Sequence, residues 1–266
     1  MKSTLIEFWN NLSEKDKLGA KIILFGAGII IIMIILFLIL KAGKVVTDNI
    51  TLCPKEPPSH FVILVDKSDP PNDSQLRQIK QRIGEVKDNL GFLDRLSIVT
   101  MGASGHANEI FSKCNPGRGE QANQFYENPT MVQNNFDKNF GSAFNNALEA
   151  AISEGKANAS YIMESIQNII TNINFNSNIS KRKLIIFSDM LQHSKKYSQY
   201  KQISTYKRFL ETKYGQSLLT DMNDVEIVVY LIMRRDRRIN INSLVEFWIT
   251  YFEEQGATPV TFSKLF

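Results

Sequence analysis

The sequence predicts an α/β protein: a Rossmann-like, doubly wound, mostly parallel six-stranded sheet preceded by one transmembrane helix. Three observations predict it. The continuous apolar runs Phe61–Val65 and Leu184–Phe187 read as strands buried on both faces, the mark of a parallel sheet covered by helices. Stretches with apolar residues at helical spacing alternate with such runs. Ile22 to Leu40 carries no charge and is long enough to cross a hydrocarbon core.

The chain has 266 residues. Roughly 210 of them follow the hydrophobic segment, enough for one substantial domain. A net charge of +4 from 31 basic and 27 acidic residues excludes a general electrostatic attraction to nucleic acid, and no nucleic-acid partner is expected.

The expected organisation is a short amphipathic head at 1–21, a membrane helix at 22–40, a connector at 41–59 and a domain at 60–266. In the head, Leu5, Ile6, Phe8, Trp9 and Leu12 fall on one side of a helical pattern, suited to the membrane interface. Lys17 and Lys21 precede the span and Lys41 and Lys44 follow it. A cleavable signal would have a shorter apolar region and a small-residue cleavage site, so an uncleaved anchor is expected. Gly26-Ala27-Gly28 follows no strand and reads as close helix packing rather than a phosphate loop. Gly43, Pro54, Pro57 and Pro58 end the helix and stiffen the connector.

The domain elements follow in order. After the strand at 61–65, Leu76, Ile79, Ile83, Val86 and Leu90 give helical spacing from Asp73 to Leu90, capped by Asn72 or Asp73. Leu96–Met101 is the next buried strand and Glu109–Ser112 a short edge strand. Residues 113–131, rich in Asn, Gly and Pro, read as a long surface loop. Phe136, Phe140, Phe144, Ala147, Leu148 and Ala151 define a helix that Gly155 ends, and Ser160 opens another running to Ile170. Strand 184–188 is followed by a Tyr-rich helical region (Tyr197, Tyr200, Tyr206, Phe209, Leu210). The strand Val225–Ile232, a helix over Leu244–Gln255 and a short strand over Pro259–Phe262 complete the sheet.

The chemistry-bearing residues lie at strand ends. Asp66-Lys67-Ser68-Asp69-Pro70 follows the first strand, Ser160 opens a helix, and Ser188-Asp189 closes the fourth strand. These three segments resemble the ligand loops of a von Willebrand factor A domain, over roughly residues 60–266 and in matching element order. The resemblance implies a metal-ion-dependent adhesion site, in which the first loop reads Asp-x-Ser-x-Ser, the second gives a Thr and the third an Asp. Asp66, Ser68, Ser160 and Asp189 would then hold Mg²⁺ or Mn²⁺, hard ions that take oxygen ligands. A partner's carboxylate would complete the shell. Two positions depart from the pattern: Pro70 replaces the second serine and has no hydroxyl, and Ser160 replaces the threonine.

The expected function is that of a membrane-anchored module that binds a protein partner through this divalent-cation site and tethers or assembles an envelope complex. Alternatives are a metal-dependent phosphohydrolase and a metal-free scaffold. The chain is not expected to be an enzyme, because His60, His106 and His193 show no zinc spacing and neither a nucleophile elbow nor a phosphate loop appears. Arg234, Arg235, Arg237 and Arg238 follow a strand and give a local positive field for an acidic partner, although such runs are most often solvated turns. Tyr and Lys residues over 195–214 read as a helix with one aromatic face on the sheet rather than a stacking platform for single strands. Cys53 and Cys114 can meet across the sheet as a disulfide, which requires an oxidising compartment; the alternative is two unpaired thiols in a cytoplasmic domain. With no eukaryotic processing signals and a small anchored form, the expected location is a bacterial inner membrane with the domain in the periplasm.

Overall fold

The computed structural model describes residues 13–42, 45–102, 105–123, 127–153, 155, 159–200, 203–234 and 239–266. The chain divides into two units, Met1–Val46 and Thr47–Phe266. The first holds helix α1, Glu14–Ala42. Its start is capped by Ser13, whose hydroxyl oxygen accepts from the Asp16 amide, and Glu14 and Asp16 lie in its positive first turn. Over Glu14–Phe37 it is long and apolar enough to cross a membrane. The expected interfacial head lies, for residues 1–12, outside the described residues.

The second unit is the predicted α/β fold. Its six strands are β1 (Ser59–Val65), β2 (Arg95–Met101), β3 (Ala107–Cys114), β4 (Lys181–Ser188), β5 (Val225–Ile232) and β6 (Val260–Leu265). They stand in the order β3-β2-β1-β4-β5-β6. Every neighbouring pair is parallel except β2 and β3. Alternation along the strands feeds two cores. Val62, Leu64, Leu184 and Ile186 pack with helix α5 (Ile162–Ile170) and helix α8 (Ile241–Glu253), whereas Ile63, Val65, Ile185 and Phe187 pack with helix α2 (Asp73–Asp88) and the Phe136, Phe140, Phe144 row. Both faces are thus dry over Val62–Val65 of β1 and Leu184–Phe187 of β4, which is why those runs are continuously apolar.

Several elements differ from expectation, each for a local reason. The connector is not free up to residue 59. From Thr47 it belongs to the folded unit, where the Asp48 carboxylate accepts from the amides of Ile50 and Thr51 and Cys53 is disulfide-bonded to Cys114. Much of the expected 113–131 loop is structured. Asn115 is buried and donates to the carbonyls of Leu90 and Gly91. Arg118 donates to the carbonyls of Lys87 and Asp88, capping the negative end of α2. Asn128 caps helix α3 (Pro129–Phe136), with Pro129 at its first position. A π-turn, Asp137–Gly141, then joins α3 to α4 (Ser142–Ile152).

The Tyr-rich region is not one helix. Thr205 and Thr212 each start a short one, α6 (Tyr206–Leu210) and α7 (Lys213–Ser217). They pack so closely that a Cβ on Gly215 would stand 2.2 Å from the Phe209 carbonyl oxygen.

Candidate functional site

The chain leaves β1 for β2 and β3 on one side, then returns to set β4 on the other, so strand order reverses between β1 and β4. A crevice opens at such a point because the loops leaving the two carboxyl ends diverge. Val65 stands beside Phe187 in the register, and the Asp66 amide extends the ladder by donating to the Phe187 carbonyl at 2.9 Å.

Asp66 is the hub of this edge and is only 7% exposed. Its Oδ2 accepts from the Ser188 hydroxyl at 2.7 Å and from the Ser160 hydroxyl at 3.0 Å. Its Oδ1 accepts from the Ser68 amide at 2.8 Å. One carboxylate therefore ties the first, second and third loops together, and burial is tolerated because both oxygens are hydrogen-bonded.

Ser160 does not open a helix, as the sequence led us to expect; α5 begins at Ile162. Instead Ser160 forms a two-residue bridge with His193, with backbone bonds of 2.8 and 2.9 Å in the two directions. The third loop is a hook closed on itself: Gln199 donates its amide to the Gln192 carbonyl, and the Gln199 side chain accepts from the Gln192 amide. Gln192 in turn accepts from the Met163 amide and donates to Glu164. The Tyr214 hydroxyl donates to Glu164 at 2.6 Å. Burial, and then the bond to the Glu164 carboxylate, push the Tyr214 phenol above its usual range, so it stays a donor.

Asp189 is also buried, and its Oδ1 accepts from the Leu191 amide at 3.0 Å. Its Oδ2 stands 3.5 Å from Nε of Arg234, an ion pair. Arg234 leaves the end of β5 and reaches back across β4. Its Nη1 donates to the Pro70 carbonyl at 2.9 Å and its Nη2 to the Asp69 carbonyl at 2.8 Å. Arg234 therefore faces inward instead of toward a partner. Lys67 also turns to the protein, donating to the Ala150 carbonyl and Ser153 hydroxyl at the end of α4.

Of the residues expected at the site, Asp66, Ser160 and Asp189 reach this edge, and Ser68 joins through its amide. Arg235, Arg237 and Arg238 lie outside the described residues. Cys53 and Cys114 are bonded at the opposite edge, where Cys114 pairs with Arg95 at the start of β2. One participant, Ser188, was missed, and Arg234 was expected at this edge but as part of a partner-facing run. Ser188 closes the apolar run Leu184–Phe187, a buried hydroxyl at a strand's carboxyl end that could have marked it. Arg234 is the first of an arginine run, and nothing in spacing separates it from its neighbours.

The fit of a divalent cation rests on the donors. Hydroxyls of Ser160 and Ser188 and two carboxylates are the right chemistry. The charge arrangement is not. Asp189 is already paired with a guanidinium, Pro70 gives no hydroxyl, and among the described residues no group of three His, Cys, Asp or Glu could hold a metal. A cation about 5 Å from Arg234 would meet a repulsion of about 3 kcal/mol per unit of its charge at an effective dielectric of ~20. The site as it stands does not fit a resident dication.

No protein-family model and no curated protein matches the chain. Among solved structures it is similar to the conserved hypothetical protein BatB from Bacteroides thetaiotaomicron, with a TM-score of 0.40, 12% identity, 77% of this chain and 89% of that one covered. It is also similar to an aerotolerance-related membrane protein from Bacteroides fragilis NCTC 9343 carrying multiple mutations to serines, with a TM-score of 0.34, 12% identity, and 78% and 91% covered. Both likenesses are too distant to carry a function across.

Proposed function

We propose that the chain is a membrane-anchored protein-interaction module that holds a protein partner at the loop edge over β1 and β4. The observation that carries this reading is Asp66, which takes bonds from Ser68, Ser160 and Ser188 and so fixes three loops in one arrangement at the switch point. A pre-formed surface loses little conformational freedom on association, which favours binding. In this reading the module works without a resident metal, as in the metal-free scaffold that was the alternative to a cation-mediated site.

The helix over Glu14–Phe37 supplies the anchor. The Cys53–Cys114 bond supports a domain on the oxidising side, the periplasm if the membrane is a bacterial inner membrane. With Arg234 and Lys67 engaged inside the domain, attraction of an acidic partner falls to Arg235, Arg237 and Arg238, which follow in sequence.

Crosslinking capture from native membranes tests the reading, comparing wild type with an Arg235→Glu, Arg237→Glu, Arg238→Glu variant and an Asp66→Ala, Asp189→Ala variant of matched abundance and fold. Loss of a shared partner from both variants supports the loop edge as the binding surface. An unchanged partner set from both would sink it.

A further inference from the structure

We infer that Arg234 is a built-in counter-ion: its guanidinium does at this edge the work of a divalent cation, and by its charge it keeps such ions out of a site whose oxygen donors are otherwise present. Three observations carry this. Arg234 comes from β5, the next strand beyond β4. Its side chain touches both sides of the crevice, pairing with Asp189 of the third loop at 3.5 Å and donating to the Asp69 and Pro70 carbonyls of the first loop at 2.8 and 2.9 Å. Its Nε is buried and makes no hydrogen bond, and the Asp189 carboxylate stands beside it at 3.5 Å as an ion-pair partner.

The chemistry explains why an arginine can take this part. A small hard ion gathers oxygens of both signs of polarity, carboxylate and neutral, around one positive centre. A guanidinium gathers the same kinds of oxygen around a planar fork, with fixed donor directions and a charge that does not titrate away. Here it gathers one carboxylate oxygen and two carbonyl oxygens. Pro70, which lacks the hydroxyl an ion would use, offers its carbonyl to the fork instead. An ion can be stripped by a chelator, whereas this charge is covalently part of the chain. The edge is accordingly set at all times, independent of the ionic composition around it.

The test needs no partner protein, so its failure is distinguishable from failure of the proposed function. Full-length protein in detergent is treated with chelator, then titrated with Mn²⁺ or Mg²⁺ while thermal unfolding and Mn²⁺ electron paramagnetic resonance are followed. Wild type should show no midpoint shift and no stoichiometric Mn²⁺. Arg234→Ser should take up one Mn²⁺ per chain and gain more than about 3 °C from it. Adding Asp189→Asn should abolish both effects. Arg234→Lys, which keeps the charge but loses the fork, should stay insensitive to the ion.

Tight binding of one Mn²⁺ by the wild type overturns the inference, as does a folded Arg234→Ser protein that takes up none. Should Arg234→Ser fail to fold, the wild-type titration and Arg234→Lys still decide: a response in either is fatal to the idea, and insensitivity in both upholds it.

Discussion

Trp248 donates its indole N–H to the carbonyl of Met190 at 2.7 Å. The last helix thereby holds the third loop one residue beyond Asp189. Met190 has φ of 58°, a left-handed conformation that a residue with a side chain adopts at some cost. Trp248 is fully buried, so the strained turn is anchored from inside the core.

Trp248→Phe removes that bond and leaves a buried carbonyl unpaired beside a small void. Chemical denaturation should show a loss of about 2–4 kcal/mol. The same variant should loosen the third loop, read as faster amide exchange at Leu191 and His193.

Asp66→Ala should cost about 2–4 kcal/mol, because two hydroxyls and an amide lose their acceptor in a buried place. Asp66→Asn keeps one acceptor oxygen and should cost less. Urea midpoints of the two variants check the order; equal losses would contradict a hub that works through both oxygens.

His60 should make stability depend on pH. It is buried on β1; its Nδ1 lies 2.8 Å from the Asn174 carbonyl, which can only accept, and its Nε2 lies 2.9 Å from the Ser97 hydroxyl. Arg95 donates to Ser112, which lies 2.8 Å from Ser97, so this chain of bonds runs toward a neutral ring. Burial first, and then the charge of Arg95, lower its pKa from 6.5 to about 3. The unfolded chain binds the proton and the folded one does not. The contribution is therefore full above pH 6.5 and is lost as pH falls toward 3, at a limiting slope of about 1.4 kcal/mol per pH unit. Denaturation between pH 7 and 4 should show this slope, and His60→Phe should flatten it.

Cleaving the Cys53–Cys114 bond should lower stability by about 2–4 kcal/mol, since the bond closes a long loop in the unfolded chain. Urea midpoints with and without reductant measure it. In intact cells both thiols should resist alkylation until reductant is added; ready labelling would contradict an oxidising compartment.

The sheet was legible because its signal is local. Phe61–Val65 and Leu184–Phe187 are apolar on both faces, and both became central strands. Asp66 and Asp189 were legible by their place after strands, and all three of Asp66, Ser160 and Asp189 by a resemblance of loops. Less visible was what depends on distant partners. Ser160 was read as a helix start, yet its backbone is claimed by His193 in the third loop. The Tyr197–Tyr214 stretch has helical spacing, but capping threonines and the close approach at Gly215 divide it. Arg234 was read as one of four arginines facing an acidic partner or solvent, since only the folded chain brings Asp189 and the Asp69 and Pro70 carbonyls to it.

The clasp at Cys53 also decides how the domain carries mechanical load. Tension drawn through the chain from the long apolar helix enters the folded unit at Thr47 and meets the knot of Asp48, Thr51 and Cys53, where the Cys114 amide donates to the Thr51 carbonyl at 2.8 Å. The disulfide then shares the pull with β3 as well as with β1. Without it, β1 alone would take the strain and would be drawn out from its amino end, and Asp66 sits at the other end of that strand. The bond diverts such a pull away from the end of β1 that bears Asp66.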